Sequence, residues 1–301
     1  MAELDVVTGA FSFTGRHIAE LLLTRGRRVR TLARHLDPAH PLAGKVDVAS
    51  LAFDESLADS LRGADTLYNT YWVRFERGEA TFDRAVENSA ALFRAAAAAG
   101  VRRIVHVSVA NPDLRSPFPY FRGKAQTEQA LGGIGVSHAI VRPTLVFGPE
   151  DILVNNIAWG LRHIPVFLIG ADGCGEVQPV SVRDTASICV EAGVREDDVI
   201  LDAAGPQRWA YADFVELIRV AVNGRARVGH TSLRTALVAA RVAGFFLRDV
   251  VVTRDELEAL EAGLLVSNET PLGTERFDEW VAENGHGLGR RYTSEVARNF
   301  R

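Results

Sequence analysis

Residues 4–16 constrain the possible fold more than any other stretch of the chain. An apolar run at 4–7 predicts a buried strand, a turn containing Gly9 and Gly15 follows, and apolar residues at 18 and 21–23 recur at helical spacing. A strand, a glycine-containing turn and a helix in this order form a dinucleotide-binding unit, because a pyrophosphate can approach the free N–H groups of the helix's first turn. The alternative is an ordinary strand-to-helix turn.

The same alternation continues through the first half of the chain. Further strands are predicted at 28–33, 46–53, 65–69, 103–109 and 138–147, and the helices between them at 57–61, 80–99 and 120–131. Strict alternation of strands and helices indicates an α/β fold with a doubly wound, parallel Rossmann sheet. We therefore expect a dinucleotide-binding Rossmann domain at residues 1–150.

Beyond residue 151 the pattern becomes mostly helical. Short strands are predicted at 166–169, 177–182 and 199–203, with helices at 152–161, from a cap at Asp184 through 193, and at 211–222, 233–247, 254–262 and 274–283. We expect residues 151–301 to form a smaller, substrate-side lobe that contributes some strands to the first domain.

Composition excludes several classes of function. The 301 residues carry a net charge of −4, so no nucleic-acid partner is expected, and no apolar run is long enough for a membrane span. The two cysteines, Cys174 and Cys189, do not suggest a disulfide framework, and the eight histidines form no metal-binding motif. With a strand beginning at residue 4 we expect no signal peptide and a cytoplasmic location.

Three residues are candidates for proton-transfer chemistry. Tyr120 and Lys124 lie four apart, hence on one helix face, where the ammonium favours the phenolate form of the tyrosine. Such a tyrosine can exchange a proton with a substrate hydroxyl while hydride moves to or from nicotinamide. Ser108, at the end of a predicted strand, can bind a substrate carbonyl. The alternatives are a chance spacing and a serine that bonds local backbone.

The order of motifs resembles the extended and atypical short-chain dehydrogenase/reductases, of the NAD-dependent epimerase/dehydratase type. It comprises Thr8-Gly9 with Gly15, Asn88, residues 100–108, the Tyr120–Lys124 pair and residues 141–148. Residues 178–186 and 251–256, with Phe277 and Trp280, resemble the subgroup of the nucleotide-binding accessory subunit of respiratory complex I and NmrA-like proteins.

The resemblance implies site residues. Ser108, Tyr120 and Lys124 match the catalytic set, and Asn88 matches the asparagine that supports the lysine. The positions that match cofactor contacts are Gly9, Phe11, Ser12, Phe13, Thr14, Gly15, Arg16, Asp54 beside adenine, Asn69, Thr70, Tyr71, Lys124 beside ribose, and Pro143 and Thr144 beside nicotinamide. Ser12 replaces the middle glycine of the pattern, which indicates a modified phosphate site. Asn88 is alternatively a helix-face amide, and Asp54 a helix cap.

Two arginines favour NADP over NAD. Arg34 stands near the end of the second strand, where NAD-binding chains have an acidic residue, and the next acidic residue is Asp37. Arg34 and Arg16 can bind a 2′-phosphate through charge-assisted hydrogen bonds, unless they are ordinary surface arginines. Tyr71 and Trp72 either fill part of the cofactor pocket or line an apolar substrate site.

These observations leave two main hypotheses for function. The first is an NAD(P)-dependent oxidoreductase or epimerase-like enzyme acting on a small carbonyl or hydroxyl substrate, and the second is a non-catalytic NAD(P)-binding redox sensor or accessory subunit. A quinone- or flavin-linked reductase is a third, based on analogy alone. The resemblance also implies a possible homodimer through the helices at 80–99 and 120–131.

Overall fold

In the computed structural model, residues 3–33, 38–170, 173 and 175–299 are described. The elements in chain order are β1 Leu4–Thr8, α1 Phe13–Thr24, β2 Arg28–Ala33, β3 Asp47–Ser50, α2 Leu57–Leu61, β4 Ala64–Asn69, α3 Phe82–Ala98, β5 Arg103–Val107, α4 Pro119–Gly132, β6 Ser137–Pro143, β7 Leu145–Phe147, α5 Ile152–His163, β8 Val166–Gly170, β9 Glu176–Val177, β10 Pro179–Ser181, α6 Val182–Gly193, β11 Val199–Ala203, β12 Trp209–Ala210, α7 Tyr211–Ala221, β13 Arg227–Thr231, α8 Leu233–Leu247, α9 Arg254–Glu261, α10 Phe277–Asn284 and α11 Glu295–Asn299.

The first structural unit comprises residues 1–143 and 182–203. Its seven-stranded sheet has the order β11-β6-β5-β4-β1-β2-β3, and every neighbouring pair is parallel. Successive strand residues point to opposite faces, so Val7 packs with α1 and α6 while Val6 packs with α2, α3 and α4. The expected doubly wound parallel fold is confirmed.

The second unit comprises residues 144–181 and 204–301. It contains three two-stranded sheets, the parallel pairs β10–β7 and β13–β8 and the antiparallel pair β12–β9. Its core is built from α5, α7 and α10, and Phe147, Phe214, Phe277 and Trp280 form an aromatic cluster within it. Residues 182–203, in the half of the chain expected to form the substrate lobe, lie in the first unit.

Two strands that the sequence predicts as continuous are interrupted. The strand expected at 138–147 divides after Pro143: β6 pairs with β5 and β11, and β7 pairs with β10. The strand expected at 177–182 divides at Gln178, whose side chain donates to the carbonyl of Gly205 and accepts from the N–H of Ser267. Apolar runs do not reveal these breaks, because both halves of each run are buried or paired.

Helix starts also differ from the predicted ones. α6 begins at Val182, so Asp184 lies in its first turn instead of capping it, and α3 begins after Thr81, whose hydroxyl caps the helix. The strand expected at 46–53 is only Asp47–Ser50, while β12, β13 and α11 were not predicted. In the described part of the chain, no helix has both the length and the apolar character needed to cross a membrane.

Candidate functional site

The carboxyl ends of β1, β4 and β5 are joined by a buried polar network. The Asn69 side-chain oxygen accepts from the Thr8 hydroxyl at 3.1 Å, and its amide donates to Nδ1 of His106 at 3.1 Å. The N–H of Thr70 donates to the Thr8 hydroxyl at 2.7 Å. Burial and the charge of Lys124 hold the pKa of His106 well below its usual range, so its imidazole is neutral. The network fixes the loop after β4, where cofactor contacts were expected.

In the turn after β1, the backbone at Gly9 and the start of α1 lie in close contact. Gly9 has a φ of +68°, in the left-handed region that favours glycine. A Cβ at Gly15 would lie 2.3 Å from the carbonyl oxygen of Gly9, so the start of α1 packs directly on the turn. Only glycine at position 15 permits this contact between helix and turn.

Ser12, the residue that replaces a glycine of the family pattern, does not block this turn. Its hydroxyl donates back to the Gly9 carbonyl at 2.6 Å, and its side chain makes no capping hydrogen bond to α1. The first-turn N–H groups of α1 are therefore not satisfied by the usual capping side chain. An uncapped helix N-terminus after a glycine turn fits the pyrophosphate of a dinucleotide.

The other residues predicted in this turn lie at its rim. Phe11, Phe13 and Thr14 are half-buried, and the Phe11 ring contacts the His40 ring edge to face at 4.9 Å. Arg16 is half-buried, and its Nε donates to a carboxylate oxygen of Glu20, one helical turn away, at 2.8 Å. The second predicted 2′-phosphate ligand, Arg34, lies outside the described residues.

The lysine of the predicted catalytic set is deeply buried. α4 begins with Pro119 in its first turn and places Tyr120 and Lys124 one helical turn apart. Lys124 is 3% exposed, and its Nζ donates to the carbonyl of Val107 at 2.8 Å. Burial lowers the pKa of Lys124 to about 7, although Glu128 acts in the opposite direction. The side chain thus exchanges its proton near neutral pH.

Ser108 follows β5 directly, beside the carbonyl that binds Lys124. Its N–H donates to the carbonyl of Val141 at 2.7 Å, which fixes the residue at the end of the sheet. Ser108 is 4% exposed, and among the described residues its Oγ has no hydrogen-bond partner. Since a buried hydroxyl without a partner is costly, a ligand or water oxygen is the expected partner.

Trp72 contacts both residues of the Tyr-x-x-x-Lys motif. Its ring centroid lies 4.5 Å from Nζ of Lys124, and its ring meets that of Tyr120 edge to face at 6.0 Å. It also stacks on Phe82 at 6.2 Å, and a Cβ at Gly123 would lie 3.1 Å from the indole. The sequence drew attention to Trp72 as a residue that either fills part of the cofactor pocket or lines an apolar substrate site, and no spacing rule reveals this contact.

Asn88 and Tyr71 form a pair next to these residues. The Asn88 amide donates to the Tyr71 hydroxyl at 2.9 Å, and the Tyr71 ring contacts Phe53 at 5.2 Å. In the described residues, the Asn88 amide is thus bonded to a tyrosine of the loop after β4. Its expected support of Lys124 stays a prediction, as does the alternative of a helix-face amide.

One ion pair near the site was missed by the sequence reasoning. Arg142 on β6 binds Glu128 through two hydrogen bonds of 3.0 and 2.6 Å, and Glu128 is only 9% exposed. Glu128 lies four residues after Lys124, a spacing that places Tyr120, Lys124 and Glu128 along one face of α4. That spacing could have drawn attention to Glu128, although it does not identify Arg142 as its partner.

The remaining predicted residues, Asp54, Pro143 and Thr144, lie after β3, at the end of β6 and in the second unit. Asp54 is exposed and accepts from the Ser56 side chain at 2.6 Å and from its N–H at 2.9 Å, which lowers the pKa of the carboxyl. Pro143 is buried at the end of β6, where its carbonyl accepts from Ala110 N–H at 2.9 Å. Thr144 belongs to the second unit, where its hydroxyl donates to the Gln178 carbonyl.

Comparison with known proteins supports a dinucleotide-binding site. Residues 9–151 match a family model described as NAD(P)H-binding. The curated relatives include the mitochondrial NADH-ubiquinone oxidoreductase 40 kDa subunit of Neurospora crassa, 28% identical over 267 residues that cover 84% of this chain and 69% of that protein. They also include the ceramide reductase of Caulobacter vibrioides, 34% identical over 152 residues, or 48% of this chain and 47% of that protein.

Solved structures show the same fold. The Citrobacter sp. triphenylmethane reductase complexed with NADP(H) has a TM-score of 0.76 and 18% identity, covering 93% of this chain and 99% of that one. MoeE5 in complex with UDP-glucuronic acid and NAD has a TM-score of 0.65 and 21% identity over 77% and 86% of the two chains. These matches confirm the expected resemblance to NAD(P)-binding reductases, epimerases and complex I subunits. The chain spans about half the length of the ceramide reductase.

Proposed function

We propose that this chain, an NAD(P)H-binding protein with an oxidoreductase- or epimerase-type fold, is an enzyme that interconverts a carbonyl and a hydroxyl group. The observation that carries the proposal is the buried Ser108 hydroxyl, which has no partner in the described residues and adjoins the carbonyl bound by Lys124. An orphaned hydroxyl next to a carbonyl that binds a titratable lysine is the arrangement expected where a substrate oxygen binds.

Each residue has a distinct role in this proposal. The first-turn N–H groups of α1 and the backbone of Gly9 and Ser12 would hold the pyrophosphate, and the bound nicotinamide would supply or accept the hydride. Ser108 donates a hydrogen bond to the substrate oxygen. In reduction, Tyr120 gives its proton to that oxygen as the carbonyl carbon receives hydride, and the product is the alcohol. The Lys124 ammonium then stabilises the phenolate until solvent returns the proton.

The preference for NADP over NAD belongs to the same proposal. Arg16 lies in the first turn of α1, and its guanidinium already donates a hydrogen bond to the carboxylate of Glu20. A 2′-phosphate would therefore compete with Glu20 for this guanidinium. Tight binding of NADPH requires that the phosphate, with its higher charge, wins this competition.

A second function is favoured by Trp72. Its indole lies over Lys124 and against Tyr120, the two side chains that a reacting substrate must approach. A chain that binds the dinucleotide without turnover, as a redox sensor of the NmrA type or as an accessory subunit, would tolerate this arrangement. The similarity to a 40 kDa subunit of NADH-ubiquinone oxidoreductase also supports it.

Comparison of the wild-type protein with Tyr120→Phe distinguishes the two functions. NADPH and NADH binding is followed by fluorescence, and NADPH oxidation is followed with a panel of ketones, aldehydes and nucleotide sugars. The enzyme proposal expects turnover that falls by about 100-fold or more in Tyr120→Phe while cofactor binding is unchanged. Tyr211→Phe, which changes a half-buried tyrosine of the second unit, is the matched control.

Two other outcomes contradict parts of this proposal. Turnover that survives Tyr120→Phe contradicts the proton-transfer role, and cofactor binding with no turnover on any substrate supports the sensor. The cytoplasmic location and the homodimer stay predictions, and light scattering of the purified chain tests the latter.

A further inference from the structure

Helix α8 of the second unit exposes large apolar side chains. Phe245 and Phe246 are 80% and 78% exposed, and Val238 and Val242 are 57% and 53% exposed. We refer to these four residues as the apolar strip. In the whole helix, only Ala236 and Gly244 are buried. Contiguous exposed apolar surface of this kind marks an interaction site more often than isolated exposed residues do.

The strip covers one side of the helix. At 3.6 residues per turn, its four residues fall within about 100° of the helix circumference. Ala236 and Gly244 lie on the opposite side, where Ala236 faces Gly170 at the end of β8. α8 therefore turns its small residues inward and its large apolar residues outward, the reverse of a core-facing helix. Packing of the second unit does not explain the strip.

Positive charge borders the strip along its length. Arg234 and Arg241 lie at one edge, separated by about 10 Å along the axis, and Arg248 caps the helix in the left-handed conformation. All three are exposed, and among the described residues none of them forms an ion pair. Residues 233–248 contain no aspartate or glutamate, so α8 itself carries no compensating negative charge.

We infer that α8 binds the surface of an anionic lipid bilayer and lies in its interface plane. The apolar strip would enter the boundary between headgroups and acyl chains, and the arginines would contact lipid phosphates. A helix face with exposed phenylalanines fits a lipid surface, because lipids rearrange around inserted side chains, whereas a protein partner must offer a pocket of matching shape. The line of arginines provides charge complementarity to a planar anionic surface.

Vesicle sedimentation of the full chain tests this inference. The protein is mixed with vesicles of phosphatidylcholine alone or of phosphatidylcholine with phosphatidylglycerol, in about 0.1 M salt. We expect binding to the anionic vesicles and much weaker binding to the neutral ones. Replacement of Phe245 and Phe246 by serine should weaken binding by roughly tenfold for each residue. Replacement of Arg234 and Arg241 by glutamine should weaken it by about fivefold for each.

Matched variants separate this effect from general loss of surface residues. Val220→Ser removes a 62% exposed apolar residue of α7, and Arg94→Gln removes an exposed arginine of α3; each should change binding by less than about twofold. Circular dichroism confirms that the phenylalanine variants fold, as expected from their exposure. Absence of binding to anionic vesicles, or binding that the phenylalanine variants retain, overturns the inference. A concentration-dependent dimer that these variants abolish also overturns it, because a second copy of the chain then covers the strip.

Discussion

Replacement of Gly15 by alanine should damage the cofactor site more than it damages the fold. The new Cβ would lie 2.3 Å from the Gly9 carbonyl oxygen, whereas real Cβ contacts essentially never fall below 3.0 Å. The turn must therefore move by about 0.7 Å away from the helix. Since the clashing atoms belong to the backbone, no side-chain rotation relieves the contact.

The cost to stability follows from two opposing terms. Overpacking against rigid backbone lowers the free energy of unfolding by about 2–3 kcal/mol, and the higher helix propensity of alanine than of glycine raises it by about 1 kcal/mol. We expect a net loss of about 1–2 kcal/mol in the free energy of unfolding. The displaced turn also loses at least one charge-assisted hydrogen bond to the pyrophosphate, which corresponds to a tenfold or greater loss of NADPH affinity, since such a bond contributes about 1.5–3 kcal/mol.

Fluorescence titration with NADPH and urea unfolding measure the two effects. Gly132→Ala is the matched control, because a Cβ at that position of α4 meets nothing within 4 Å; it should bind NADPH normally and gain up to about 1 kcal/mol of stability. If Gly15→Ala binds NADPH as tightly as the wild-type protein, the helix–turn contact does not shape the phosphate site and the assignment fails.

Three further predictions concern charged groups. Glu128→Gln should lower the free energy of unfolding by about 2–4 kcal/mol in urea titrations, because it leaves a largely buried Arg142 without its carboxylate. The control is Asp59→Asn in an exposed ion pair, which should change the free energy of unfolding by less than about 0.5 kcal/mol. Equal effects of the two substitutions would contradict the prediction. Burial holds the pKa of Lys124 at about 7 against about 10.4 in an unfolded chain, so between these values the unfolded state binds more protons and stability rises with pH. Lys124→Met should reduce this rise between pH 7 and 10, and an unchanged slope would refute the shift. Arg16→Ala should weaken NADPH binding by about tenfold and leave NADH binding unchanged, so an equal loss for both excludes Arg16 as a 2′-phosphate ligand.

Local patterns determined most of the first unit up to residue 143, but not that residues 182–203 belong to it. The strand, turn and helix at 4–24, the alternation that follows and the Tyr120–Lys124 spacing all depend on residues close in the chain. Such features are readable because strand and helix periods place neighbouring residues on known faces. The parallel sheet follows from them, since strands joined through helices pair in parallel.

Contacts between distant residues were decided by the tertiary structure. Trp72 lies over Lys124, Asn88 donates to Tyr71, and Arg142 binds Glu128. Periodicity shows that a residue faces inward, but it does not show which side chain, many residues away, will meet it there.

The strand breaks and the exposed face of α8 have the same origin. The sequence at 138–147 reads as one apolar run, and only the pairing of β7 with β10, instead of with β5 and β11, separates it at Pro143. The apolar pattern of α8 is likewise compatible with burial on either side. Its small residues face inward, where Ala236 packs on Gly170 at the end of β8, and that contact is a property of the assembled fold.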